Sequence, residues 1–74
     1  MLKDEFRRLI NRFLEVSAMA PANFGVAALD DPSFVLRIRR GRECRENTRQ
    51  RVLDWMAKYV AENNIEFDFN GWRG

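Results

Sequence analysis

Seventy-four residues with one cysteine, Cys44, and no histidine exclude an intrachain disulfide and a Cys/His zinc centre, leaving a compact apolar core, self-association or both as the source of stability. Hydrophobic residues at 46% and charged residues at 32% exclude a disordered chain and predict one small domain. Without histidine the commonest acid–base group near neutral pH is missing, so no enzymatic activity and no cofactor are expected.

The longest unbroken apolar stretch, Phe24 to Leu29, is far too short to span a bilayer, and Lys3, Asp4, Glu5, Arg7 and Arg8 interrupt the N-terminus. No membrane partner is expected, and the expected location is the cytoplasm, on the nucleoid. The charge is unevenly placed. Although the formal net charge is +2, Arg37, Arg39, Arg40, Arg42, Arg45, Arg49 and Arg51 face only Glu43 and Glu46, so residues 37–51 carry +5 and the rest −3. Arginine presents a planar fork of donors that matches phosphate oxygens and guanine edges, so a nucleic-acid footprint is the first expectation. A solvated arginine face pairing with scattered acids is the competing one.

Taken in chain order, Phe6, Leu9, Ile10, Phe13 and Leu14 fall at the spacing of one helical face and predict a helix over about 3–18. Pro21 suits the first turn of a second helix over 21–29, in which Gly25 makes sense if another element crosses closely there. Asp30, Asp31 and Pro32 are a stop-and-start signal, with Asp31 as N-cap, for a third helix over 32–40 that Gly41 would terminate in the left-handed conformation. On it Phe34, Val35 and Ile38 share an inner side, whereas Ser33, Leu36, Arg37 and Arg40 share the outer one.

Asn47 with Gln50 resembles a capping box opening a fourth helix over 48–62, with a core stripe of Val52, Leu53, Met56, Tyr59 and Val60 and with Asn63-Asn64 at its end. Trp55 lies off the centre of that stripe, the place of a core edge or a subunit contact rather than a ligand platform. Beyond it Ile65, Phe67 and Phe69 alternate with Glu66, Asp68 and Asn70, a two-residue period that reads as a strand before an Asn70-Gly71 turn. A lone strand needs a partner, so the tail over 65–74 either pairs with its copy in a second subunit or folds back onto the helices.

Two short helices across a tight turn, with a small residue in the first and arginines displayed on the second, form the pattern of a helix-turn-helix. The stretch from about Met19 to Leu53, APANFGVAALDDPSFVLRIRRGRECRENTRQRVL, resembles the DNA-binding domains of the Cro and lambda-repressor (Xre-like) family. Gly25 matches that family's small residue in the second helix, and Val35 and Ile38 match the buried aliphatics of its recognition helix. Leu29 and Asp30 depart from the glycine and aliphatic residue common at its turn.

The resemblance implies an all-α, four-helix domain, residues 1–64, with a possible C-terminal strand, acting as a homodimeric regulator of transcription on double-stranded DNA. Base reading would fall to Ser33, Leu36, Arg37 and Arg40. Phosphate binding would fall to Arg39, Arg42, Arg45, Thr48 and Arg49. Apart from the resemblance, a tail that pairs between subunits would place dimerisation at Ile65, Phe67, Phe69 and Trp72. The alternative function is a helical protein-interaction module, an adaptor or inhibitor, that turns the arginine face to an acidic protein partner. Cys44 among basic residues could be a low-pKa redox thiol or an incidental exposed one. Adjacent Asp30 and Asp31 read as turn and cap residues rather than a metal site.

Overall fold

A computed structural model describes residues 2–69. It comprises four helices, α1 (Lys3–Ser17), α2 (Pro21–Leu29), α3 (Phe34–Arg39) and α4 (Glu46–Glu62), with no strand among the described residues. Helix α1 buries the five apolar residues of its periodic stripe and carries Asp4 and Glu5 in its first turn, where negative charge complements the helix dipole. It stops at Ala18, which takes the left-handed conformation at φ 57°. An L residue adopts that conformation at a cost of about 1 kcal/mol. Pro21 then begins α2, where its missing N–H leaves no hydrogen bond unmade.

The α2–α3 turn is built on glycine. Asp30 reverses the chain at φ 58°, and the Asp31 N–H donates to the Gly25 carbonyl at 3.1 Å. A Cβ on Gly25 would lie 2.1 Å from the Asp31 carbonyl oxygen, so the crossing expected at Gly25 is made by the backbone of the turn itself. That same oxygen accepts the Phe34 N–H at 3.3 Å, and Asp31 Oδ1 accepts the Ser33 N–H at 3.0 Å. These two bonds fold residues 31–34 into a turn, which is why α3 begins at Phe34 and spans six residues instead of the expected 32–40. Gly41 closes it at φ 90°, as expected.

Helix α4 starts two residues earlier than expected, with extended Arg45 preceding it and no side-chain cap. The Asn47–Gln50 capping box does not form, because Asn47 already lies inside the first turn and Gln50 donates to Asp54 Oδ1 at 3.2 Å. The C-terminal end follows expectation: the Asn63 side chain donates to the Tyr59 carbonyl at 2.9 Å and Asn64 turns left-handed at φ 53°.

The core is entirely apolar and is organised by aromatic rings. Phe13 of α1 meets Phe24 of α2 at 5.4 Å between centroids, and Trp55 and Tyr59 of α4 at 5.9 and 5.7 Å, mostly edge to face. Trp55 therefore serves as the core edge expected of it. Phe6 of α1 meets Phe34 of α3 at 6.5 Å, which seats the short helix.

Residues 65–69 are not a strand. Ile65, Phe67 and Phe69 pack against the helical core, with the Phe67 ring edge-on to Phe13 at 5.6 Å. Arg12 of α1 lies over Phe67 at 5.5 Å and donates from Nη2 to the Asp68 carbonyl at 2.9 Å. A segment lying on helices can alternate inward and outward as a paired strand does, so the two-residue period of residues 65–69 is accounted for by packing within the chain. Trp72 and the Asn70-Gly71 turn lie outside the described residues.

Gly25→Ala is expected to destabilise the domain by about 1–3 kcal/mol despite alanine's better helix propensity, because the Asp31 carbonyl must move; urea unfolding followed by circular dichroism measures it. Phe67→Ala is expected to lower stability by about 1–3 kcal/mol, less than a fully buried phenylalanine would. Its shift in melting temperature should be the same at low and high protein concentration, since the ring packs on its own chain.

Candidate nucleic-acid interface

Helix α3 has two unlike sides. Phe34, Val35 and Ile38 are buried, while Leu36 is 50% exposed and Ser33 and Arg40 are open to solvent. Arg37 stands half-exposed beside them. All four residues expected to read bases therefore project from the outer side that the helical spacing assigns them.

The loop after α3 is tied to its C-terminal turn. The Gly41 N–H donates to the Ile38 carbonyl at 3.0 Å and the Arg42 N–H to the Arg37 carbonyl at 3.1 Å. The chain then passes to α4 and leaves a cleft of about 510 Å³ between the two helices. Arg37, Arg42, Arg45, Thr48 and Arg51 line it over an apolar floor of Leu29, Phe34 and Ile38, with Asp31 and Glu43 the acids in its wall.

The structure thus brings together three of the five residues expected to bind phosphate, Arg42, Arg45 and Thr48. It adds Arg51, one turn beyond Thr48 on the same side of α4, a residue that helical spacing alone would have found. The other two lie elsewhere. Arg39 is exposed on the α1 side, where Nε donates to Asn11 Oδ1 at 3.0 Å. Arg49 turns inward: its side chain is 13% exposed, its guanidinium sits 5.6 Å from the centroid of Phe6, and Nη1 donates to Glu46 Oε2 at 3.0 Å. Arg49 joins α4 to α1 rather than lining the cleft.

An ion pair between Asp31 and Arg37 lies where the turn meets the cleft. Both terminal nitrogens of Arg37 donate to the Asp31 carboxylate, one to each oxygen. Six residues of separation across a turn match no helical or strand period, so nothing in the spacing signalled the pair. The hydrogen bond from Arg37, aided by that from the Ser33 N–H and opposed by partial desolvation, holds the Asp31 carboxyl below its usual range. The Arg37 guanidinium is raised in turn by the same bond.

Cys44, half-buried in the cleft wall, is pushed up from the usual thiol value by burial, which outweighs the opposing effect of nearby Arg49. It is thus neither the activated thiolate nor the fully exposed thiol that its basic neighbours suggested. Among the described residues no three Cys, Asp or Glu side chains converge as metal ligands, and no helix is long and apolar enough to cross a membrane.

No family model, no curated protein and no solved structure matches the chain. The likeness to the Cro and lambda-repressor family therefore rests on the residues quoted for it.

Because the folded state depresses the Asp31 pKa, the stability that this carboxylate contributes is complete above the ordinary value near 3.8 and is lost as pH falls through the folded value. Asp31→Asn lacks that titration. Melting temperatures measured between pH 2 and 7 should therefore fall less steeply below about pH 4 in the variant than in the parent protein.

Proposed function

We propose that this domain binds double-stranded DNA in a sequence-dependent manner and serves as the DNA-reading module of a transcriptional regulator, with α3 in the major groove. The observation that carries the reading is the division of α3: three buried side chains fix the helix, and Ser33, Leu36, Arg37 and Arg40 stand outward beside an arginine-lined cleft. Arg40 offers a bidentate fork to guanine O6 and N7, and Leu36 suits a thymine methyl, which gives its half-exposed apolar side chain a use. Arg42, Arg45, Thr48 and Arg51 are spaced around the cleft to take backbone phosphates.

These two sets divide the work. Phosphate contacts supply affinity and orientation irrespective of sequence, while α3 supplies the preference. A six-residue helix reaches few base pairs, so the proposed arrangement is two copies on a two-fold site. Whether occupancy represses or activates then depends on where the site lies relative to a promoter.

Selection of bound duplexes from a random pool at about 150 mM salt tests the reading, since binding driven only by counterion release is suppressed there relative to specific binding. An inverted-repeat consensus is expected, with half-sites about one helical turn apart. Arg40→Ala should then lower discrimination at one base pair by roughly tenfold or more. Arg45→Ala should weaken all duplexes alike and reduce the salt slope by about one. No enrichment from the pool would move the arginine face to an acidic protein partner.

A further inference from the structure

Arg37 reaches the surface with one edge of its guanidinium already engaged. Nη1 and Nη2 donate to Oδ1 and Oδ2 of Asp31, which occupies the end of the fork, and the side chain remains 44% exposed. A guanidinium has a second bidentate edge, formed by Nε–H and the adjacent terminal N–H. Among the described residues no hydrogen bond from Nε occupies that edge.

The acid that holds the fork is itself immobilised. Its N–H is bonded to the Gly25 carbonyl, its carbonyl oxygen packs against Gly25 and accepts the Phe34 N–H, and its carboxylate accepts the Ser33 N–H. Asp31 is therefore part of a turn anchored to α2, and it fixes the end of an otherwise flexible side chain. The carboxylate also adds a negative charge where a DNA phosphate would otherwise compete for the same guanidinium edge.

We infer that Asp31 is a positioning residue for sequence discrimination: by clamping the terminal edge of Arg37 it presents the Nε edge to a guanine, setting the preference at one base pair without touching DNA. This rests on the DNA-binding reading above. The clamp has two consequences of opposite sign. With it, Arg37 meets guanine in one orientation, and sequence-independent capture of Arg37 by the backbone is disfavoured. Without it, Arg37 is a mobile cation that binds any phosphate within reach.

Asp31→Asn separates the clamp from the turn, because asparagine retains one oxygen to accept the Ser33 N–H but replaces the other with an NH2 donor and loses the charge, so the two-point hold on Arg37 is gone. The probes are a duplex carrying the consensus selected by the parent protein, a set in which each base pair is changed in turn, and a mixed-sequence duplex, all titrated by fluorescence anisotropy at one salt concentration. The expected result is a loss of about tenfold in discrimination at a single G·C pair, unchanged discrimination elsewhere, and equal or tighter binding of the mixed-sequence duplex. Arg37→Lys keeps a cation but has no second edge, and should lose discrimination at the same pair.

A role for Asp31 in folding alone would weaken all duplexes together and move no single position. Full retention of discrimination in Asp31→Asn, uniform weakening, or loss at different positions in the two variants would overturn the inference while leaving DNA binding intact. Failure of the parent protein to select any consensus overturns the DNA-binding reading and the inference with it. Should Asp31→Asn unfold, Asp31→Glu keeps the charge but shifts it by one methylene, and the same single-position loss is expected.

Discussion

The contact of the Asp31 backbone with Gly25 governs how α3 is held. Glycine within a helix costs about 1 kcal/mol relative to alanine, and α2 carries it because any Cβ would meet the carbonyl oxygen that begins the turn. If that oxygen were displaced, its bond from the Phe34 N–H would lengthen, and Phe34 would withdraw from Phe6 across the core. Six residues of helix have almost no stability of their own, so α3 exists through the turn before it, the left-handed Gly41 after it, and three side chains anchored beneath it. Its outer side is consequently presented by the core and does not depend on the helix's own strength.

Arginine, which dominates the basic residues, does two different jobs. Arg12 binds the tail to α1 through the Phe67 ring and the Asp68 carbonyl, Arg39 joins α3 to α1 through Asn11, and Arg49 joins α4 to α1 through the Phe6 ring while bonding Glu46 of its own helix. Each ends in a hydrogen bond to another group of the domain. The arginines around the cleft and on the outside of α3 form the basic surface proper. A charge count along the chain cannot separate the two sets, because the separation depends on which element lies opposite each side chain.

Much of the helical frame was legible from residue spacing. The α1 stripe, Pro21 at the start of α2, the inner and outer sides of α3, Gly41 and the Asn63-Asn64 end of α4 all express local periodicity or local backbone preference. What escaped has a common physical origin, in that a side chain had two competing options, local or tertiary, and spacing alone does not choose between them. The Asp31 carboxylate took the Ser33 N–H and Arg37 and shortened α3, Gln50 took Asp54 instead of capping α4, and the apolar side of residues 65–69 found the aromatic core of its own chain. Of the candidate site, the outer side of α3 and three of the five phosphate residues emerged where spacing put them. Arg49 did not, since helical geometry gives its direction but not that Phe6 waits there.

A short reading helix sets a particular demand on the proposed function. Arginines around the cleft would raise affinity for every duplex equally, so they add nothing to the ratio between a chosen site and the background. That ratio falls to the few side chains that α3 turns outward, and with so few contacts the orientation of each one matters more than its number of donors. A lone arginine on an exposed helix samples many orientations and binds phosphate as readily as guanine. Anchoring one such arginine to an acid that is itself built into the turn removes that freedom, so under the proposed function the residue that shapes the fold at Gly25 would also shape what the outer side of α3 can distinguish.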